Sequence, residues 1–397
     1  MRVGKRPRRG CLGGLTCLAG IAILAFLQGT SCAAGPSTGS FPPVETAPKT
    51  SPSPPPPRSG DQLPPKTKPD RVCEFTGVEK IVAVGDLHGA YEAFVEILKG
   101  TGVVEDVGGD LHWAAGQTHL VQMGDVLDRG TEPRKILDLI ALLEGEALVA
   151  GGRVHMLIGN HEELNIMELS LEVTGGVSVE QFKQFLPDKY VAQKEKQFLK
   201  AAGPNGDTAP SWKKLMSDPD AQEVYYREFN ESYGRWIARH NAVVKINDVV
   251  FVHGGLSEAY SNYSCGRLNS ILTSEMERWI RGERDFPLRL LHNEQGPLWH
   301  RDLAVGEEPI LKEEVDRILK NLGARAIVIA HTPTTESITL NGLDRFGGKV
   351  WMIDTGIWME TGGALSALII ENGIFHIWSP KDRTAGRDPS EKQGGER

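Results

Sequence analysis

The sequence predicts an α/β domain, on three observations. Apolar strands alternate with helical patterns from Arg71 to about Pro380. Several of those strands break at once into turns that carry carboxylate, amide or imidazole groups. The flanks look unlike a globular core, since Gly35 to Asp70 lacks the apolar residues that offset the entropy of folding and the tail beyond Pro380 is charged and Gly-rich. A chain of 397 residues could hold one large or two ordinary domains, and the flanking compositions favour one.

Ile81 to Val84 is an apolar run with β-branched residues and reads as a buried strand. It breaks at Gly85, and Asp86 and His88 follow in the turn. One residue between a hard oxygen ligand and an imidazole lets both reach a single cation from one turn. Tyr91 to Leu98 reads as a short helix. His119 to Met123 is the next strand, ending in Gly124-Asp125-Val-Leu-Asp128-Arg129-Gly130, and Pro133 to Leu143 is an amphipathic helix. Val154 to Ile158 leads to Gly159-Asn160-His161-Glu162. Val249 to Val252 leads to His253-Gly-Gly255, and Ala326 to Ala330 leads to His331-Thr-Pro333. Val350 to Ile353, Leu365 to Ile370 and Ile374 to Trp378 complete a strand-rich end. Glu307 to Lys320 alternates in charge and reads as a solvated helix face.

Residues 163–248 carry no metal-type motif and are mostly helical in pattern, an insertion that could cap a site. Tyr225, Tyr226, Phe229, Tyr233 and Trp236 fall at roughly helical spacing there. Such a stripe fits a helix face packed on the core better than a substrate platform.

Residues 1–34 join a basic stretch without acids, an apolar run from Cys11 to about Gln28, and small residues around Cys32. This is the pattern of an export signal or membrane anchor. Cys32 sits where a lipidated cysteine would follow cleavage, although Gly29 stands where such signals usually carry Leu. A lipoprotein, a cleaved soluble form and an uncleaved anchor all put the domain outside the cytoplasm. Residues 35–70 are rich in Pro, Ser and Thr and read as a disordered tether. Residues 381–397 read as a disordered tail. Of the five cysteines only Cys73 and Cys265 belong to residues 71–380, and an oxidising compartment would permit them to pair.

Asp86, His88, Asp125, Asn160, His253 and His331 each stand just after an apolar strand, so a layered sheet fold can bring them together along one edge. Four of the eleven histidines, His88, His161, His253 and His331, occur in these turns. A mixed nitrogen and oxygen set without thiolate favours Mn, Fe or Zn over Ca or Mg.

These blocks, in this order, resemble the signature of the phosphoprotein phosphatase branch of the calcineurin-like metallophosphoesterases, over most of Glu79 to about Trp378. The resemblance implies a four-layer αββα sandwich as the catalytic domain, with residues 163–248 as an insertion. It implies two divalent or mixed-valence metal ions, Mn first and Fe or Zn next. Asp86 and His88 would bind the first, Asp125 would bridge, and Asn160, His253 and His331 would bind the second. The reaction implied is in-line attack on phosphorus by a metal-bridging hydroxide. His161 would protonate the leaving oxygen, Asp128 would orient its imidazole, and Arg129 would hold the phosphate by its planar fork. Arg301, in Gly296-Pro-Leu-Trp-His-Arg301, is a candidate second phosphate-binding arginine, with a surface arginine as the alternative. Beside it His300 is expected to be structural, and Glu162 to hold its loop rather than touch phosphate.

Within that branch, Asp128 and Glu162 separate the chain from diadenosine polyphosphate hydrolases, which usually lack the former and carry Asp at the latter. Asp354-Thr-Gly356 followed by Gly362-Gly-Ala-Leu-Ser-Ala367 looks like the Shewanella-like protein phosphatase group. The expected substrate is a phosphoprotein, at Ser/Thr or Tyr, with a small or cell-envelope phosphoester as the alternative. Membrane association through the N-terminal segment is expected. A non-catalytic binding module would have lost motif residues, and none is lost. A nucleic-acid partner is not expected, because the formal net charge is −8 and the densest basic cluster lies in the export segment.

Overall fold

Two β-sheets face each other, and every candidate ligand sits at their carboxyl edges. A computed structural model describes residues 72–203, 206–334, 343–359 and 363–380. Residues 1–34 with Cys32, read above as an export signal or anchor, residues 35–70, read as a tether, and the tail beyond Pro380 lie outside them. Among the described residues no helix is long and apolar enough to cross a membrane.

The first half of the chain supplies strands β1 (Glu74–Phe75), β2 (Lys80–Val84), β3 (Val104–Val107), β4 (Asp110–Trp113), β5 (His119–Gln122) and β6 (Arg153–Met156). Its helices are α1 (Tyr91–Gly100), α2 (Pro133–Val149) and α3 (Asn160–Ile166). A helical segment follows: α4 (Val179–Phe185), α5 (Asp188–Ala202), α6 (Ala209–Met216), α7 (Pro219–Phe229), a π-helical turn (Asn230–Gly234) and α8 (Arg235–Ile237). The second half supplies β7 (Val243–Ile246), β8 (Val249–Val252), α9 (Glu258–Ser261), α10 (Cys265–Ile280), α11 (Asp302–Val305), α12 (Glu308–Leu322) and β9 (Ala326–Ile329). Strands β10 (Asp344–Arg345), β11 (Val350–Met352), β12 (Ala367–Glu371) and β13 (Ile374–Trp378) close the chain.

One sheet has the order β13-β12-β2-β5-β6, with β2, β5 and β6 parallel and β12 antiparallel to both its neighbours. The other has the order β1-β7-β8-β9-β11-β10, with β8, β9 and β11 parallel. Alternation along each strand divides the apolar residues between two cores. Ile81, Ala83, Val121 and Met123 point into the layer between the sheets, where they meet Val244, Phe251, Val328 and Ile353. Val82, Val84 and Leu120 point outward, into the core shared with the helices. Helix α1 covers them with Phe94, Ile97 and Leu98, the spacing of one helical face. On α12, Val315, Ile318 and Leu319 are buried, so the charged stretch at Glu307 to Lys320 is solvated on its remaining faces. Together these form the αββα sandwich.

Several elements differ from the sequence reading. Helix α2 continues past Leu143 to Val149 and stops only before Gly151, whose φ of +84° ends it. The hairpin β3–β4 turns at Gly108-Gly109, a short two-glycine signal that was there to be read. Strands β1 and β7 and helix α10 are further additions. Cys73 and Cys265 form a disulfide with Cα atoms 6.1 Å apart, joining the lead-in to β1 to the start of α10.

Candidate active site

The turn residues of both sheets converge. Asp86 follows β2, Asp125 to Arg129 follow β5, and Asn160 opens α3 after β6. His253 follows β8, His331 follows β9, and Asp354 follows β11. Asp86, His88, Asp125, Asn160, His253 and His331 are all buried. The close approach is permitted by glycine. A Cβ on Gly124, at φ +93°, would lie 2.6 Å from the Gly159 nitrogen, and one on Gly85 would lie 2.1 Å from the Ile353 carbonyl oxygen. The backbone is also strained where the chemistry lies. His88, Asp125, Asp128, Arg129 and His331 all have positive φ, between 41° and 70°, a region that non-glycine residues rarely adopt without a reason.

Asp125 is the centre. His253 Nε2 lies 3.3 Å from its Oδ1, and His88 Nε2 and His161 Nε2 lie 3.6 and 3.9 Å from its Oδ2. Burial pushes its carboxyl pKa up, but the positive potential of His253, His161 and His88 wins and holds it well below the usual range. For Asp86, burial and the neighbouring Asp354 and Asp125 act together and push the pKa well up.

The donor set fits cations. His88, Asp125 and His161 offer ligand atoms within 4.8 Å of one another, and so do Asp125, His253 and His331, with Asp125 common to both groups. His88 Nδ1 donates to the Leu127 carbonyl at 2.7 Å and His253 Nδ1 to that of Met123 at 2.8 Å. A carbonyl can only accept, so each imidazole keeps Nε2 as its lone-pair nitrogen, the arrangement of a metal-binding histidine. His253 Nε2 lies 2.9 Å from Asn160 Oδ1, two acceptors brought face to face. His331 Nε2 and Asp354 Oδ2 are buried without a hydrogen-bond partner among the described residues, as ligand atoms without their ion would be. Asp86 lies on the second-sheet side, where its Oδ1 accepts from the His331 backbone N–H at 3.3 Å and its side chain hydrogen-bonds that of Asp354.

His161 stands between Asp128 and Arg129. Its Nδ1 meets Asp128 Oδ2 at 2.7 Å, and Arg129 Nη2 lies 3.2 Å from its Nε2. Burial works against a charge on this ring, but the Asp125 and Asp128 carboxylates outweigh it and raise the pKa. Asp128 is held from behind. Its Oδ1 accepts from Asn165 Nδ2 at 3.0 Å and Gln181 Nε2 at 2.9 Å, and its N–H donates to Gln181 Oε1 at 2.6 Å. The Tyr225 hydroxyl donates to Asn165 Oδ1 and accepts from Gln181, both at 2.9 Å. Residues 163–248 therefore reach the His161–Asp128 pair through Asn165, Gln181 and Tyr225. Tyr225, Tyr226 and Phe229 are buried, and Tyr233 and Trp236 pack at the margin of the core.

Glu162 touches none of the candidate ligands through a side-chain bond. Its Oε2 accepts from the N–H groups of Asp125 and Gly159, both at 2.8 Å, and its Oε1 from those of Val126 at 2.9 Å and Leu127 at 3.2 Å. Arg301 Nη1 donates to the His331 carbonyl at 3.0 Å and the Thr332 hydroxyl at 2.9 Å. Desolvation lowers the Arg301 pKa while the Asp125, Asp86 and Asp354 carboxylates oppose it, which sets the guanidinium beside the cluster. His300 is buried next to it.

Sequence reasoning passed over Asp354, Asn165, Gln181, Tyr225 and Trp358. Asp354 was within reach, since it follows the apolar strand β11 as the other ligand candidates follow theirs. Asn165, Gln181 and Trp358 sit in no recurring pattern, and Tyr225 belongs to a stripe that reads as core.

A buried, two-lobed set of carboxylate, amide and imidazole groups on a double sheet, flanked by a His–Asp pair and two arginines, defines a metallophosphoesterase-type centre. The sequence profile of the calcineurin-like phosphoesterase family matches residues 79–334, and the chain belongs to that family. Among its relatives, the Shewanella-like protein phosphatase 2 of Arabidopsis thaliana is 33% identical over 217 residues, covering 52% of this chain and 53% of that protein. The Shewanella-like protein phosphatase 1 of Plasmodium berghei is 26% identical over 259 residues, covering 64% of this chain and 61% of that protein. The chain thus spans 53% and 61% of the length of these curated relatives. Among solved structures, the cold-active protein-tyrosine phosphatase of a psychrophilic Shewanella species is 25% identical with a TM-score of 0.53, covering 79% of this chain and 80% of that one. These likenesses support the Shewanella-like branch.

Proposed function

We propose that this protein is a dinuclear metal-dependent phosphatase that hydrolyses phosphomonoesters, phosphoproteins first among them. The observation that carries the reading is His161. It is aligned by Asp128 and sits against Arg129, at the margin of a cluster whose two ligand groups share Asp125. Asp86, His88, Asp125, Asn160, His253 and His331 would hold the ions, Mn being the first choice and Fe or Zn the next. Bound there, two divalent ions neutralise phosphoryl charge and acidify water for in-line attack.

The remaining work falls to the chain. Arg129 and Arg301 would grip the phosphoryl oxygens by planar, directional hydrogen bonds. Asp128 accepts a hydrogen bond from His161 Nδ1–H and favours the imidazolium, whose Nε2–H is the proton to be delivered to the leaving oxygen. When Arg129 turns toward phosphate, that nitrogen is released from its present contact. The intact Asp128 and Glu162 support monoester over dinucleoside polyphosphate hydrolysis. A tyrosine phosphatase among the solved relatives makes phosphotyrosine a serious substrate beside phosphoserine and phosphothreonine. The N-terminal segment supports an extracytoplasmic, membrane-tethered location, with Cys32 as the lipidation candidate.

The test is turnover by the full chain, stripped by chelation and reloaded with Mn. The substrates are p-nitrophenyl phosphate, phosphopeptides of the three kinds, and diadenosine tetraphosphate. Metal-restored phosphate release from the monoesters is expected. His161→Asn should lower kcat by about 10²–10⁴ and keep its metal, whereas Asp125→Asn should lose both. Cleavage confined to diadenosine tetraphosphate, or full activity in His161→Asn, would overturn the reading.

A further inference from the structure

We infer that Trp358 is a positioning residue that holds the Arg129 guanidinium ready for the phosphoryl group, an inference that rests on the phosphatase reading above. The Arg129 Cζ lies 4.5 Å from the centroid of the Trp358 ring. Among the described residues its one other side-chain contact is with His161, a 3.2 Å approach to Nε2 that it must give up to reach substrate. Arg129 is exposed, and among the described residues no carboxylate pairs with it. A free arginine carries about 2 kcal/mol of rotamer entropy, and a side chain that has to be ordered on each binding event weakens that binding.

An aromatic ring is suited to the task. Stacking engages the face of the guanidinium and leaves its in-plane N–H groups free for two phosphoryl oxygens. A carboxylate in the same place would occupy those N–H groups and compete with phosphate.

The ring itself is braced. Its other flank lies edge-on to His88, with centroids 5.2 Å apart, and His88 in turn is edge-on to His161 at 4.7 Å. The loop that carries it is pinned on the side toward β12. The Thr355 hydroxyl donates to the Ala364 carbonyl at 2.8 Å and lies 2.9 Å from the Ser366 hydroxyl, and the Ala364 N–H donates to the Thr355 carbonyl at 3.0 Å. On the side toward β11, the Gly356 N–H donates to Asp354 Oδ1 at 3.0 Å. The same turn therefore fixes Asp354 beside the ligands and Trp358 beneath the arginine.

The experiment compares wild type, Trp358→Phe and Trp358→Leu as full chains reloaded with Mn. It reads KM and kcat on p-nitrophenyl phosphate, the affinity for inorganic phosphate by calorimetry, and metal per chain. Trp358→Leu should raise KM and weaken phosphate binding by about 2- to 5-fold, with a smaller change in kcat and unchanged metal. Trp358→Phe, which keeps an aromatic face, should recover most of the loss. In an Arg129→Leu background the Trp358→Leu change should have no further effect on phosphate binding. Wild-type phosphate affinity in Trp358→Leu, a Phe variant as weak as the Leu variant, or an undiminished effect without Arg129 would each overturn the inference. Failure of the phosphatase reading would look different: no monoester turnover by the wild type, with the calorimetric comparison still able to decide on Trp358.

Discussion

Glu162→Gln is the sharpest perturbation the site offers, because it changes one atom and removes no volume. In the wild type each carboxylate oxygen accepts two backbone N–H groups, Oε2 from Asp125 and Gly159 and Oε1 from Val126 and Leu127. Burial and the nearby Asp125 push the Glu162 pKa up, while the N–H bonds from Gly159 and Asp125 hold it down. The amide of Gln can be oriented in two ways. In either one, an NH₂ group faces two N–H donors, so two bonds are lost whichever way it turns. At roughly 1.5–3 kcal/mol for a hydrogen bond to a charged group, the cost is about 3–6 kcal/mol. Each kcal/mol moves the midpoint of a large domain by about 2–4 °C, so the metal-free protein should melt roughly 6–24 °C lower. Thermal unfolding of chelated protein measures this without the added stability that a bound ion would give. Reloading should then show reduced metal per chain, because the same N–H groups shape the Asp125 turn. A melting point within about 2 °C of wild type, together with full metal occupancy, would refute the claim that Glu162 holds the loop.

Two further predictions concern one contact behind the site and one away from it. Gln181→Leu removes the partner of the Asp128 N–H and one of the two partners of its Oδ1. It should cost about 1–3 kcal/mol of stability and lower kcat with metal content unchanged, and unaltered kcat would detach the helical segment from the catalytic pair. Far from the site, His119 Nδ1 and His155 Nε2 meet at 3.0 Å in a buried pair. Burial and Arg153 lower the His119 pKa to about 4, and His155 is likewise lowered, by burial and then by His119. A histidine held neutral in the fold stabilises it fully above its unfolded pKa near 6.5. That contribution falls away as the pH drops through the window toward about 4. Allowing for solvent screening, the loss is about 1–2 kcal/mol. Melting points of chelated His119→Gln should therefore depend less on pH than those of wild type over that window, and parallel profiles would count against it.

The candidate ligands were legible because a strand, its breaking glycine and its turn are contiguous in sequence. Asp86, Asp125, Asn160, His253 and His331 could each be found from a stretch of a few residues. The fold class was legible for the same reason, since strand periodicity is local. What stayed hidden is contact between distant segments. Gln181 lies 53 residues from Asp128, and Tyr225 lies 60 from Asn165. An aromatic stripe that reads as core gives no sign that one of its hydroxyls supports a catalytic carboxylate. The Cys73–Cys265 bridge spans 192 residues, and spacing alone could say only that pairing was permitted. The extension of α2 was hidden for the opposite reason, as nothing between Leu143 and Val149 forbids a helix and the tertiary contacts carried it on.

The ligand atoms come from two sheets that share no hydrogen-bond ladder. Asp86, Asp125 and Asn160 extend from β2, β5 and β6, whereas His253, His331 and Asp354 extend from β8, β9 and β11. One ligand group, His88, Asp125 and His161, comes from the first sheet alone, whereas the other, Asp125, His253 and His331, draws on both. In the proposed reading the ion held by Asp125, His253 and His331 acts as a rivet through two plates, and its affinity becomes a gauge of how the plates are aligned. A substitution deep in the layer between them, at Phe251 or Met123 for instance, would then register first as weakened metal binding, well before the protein unfolds.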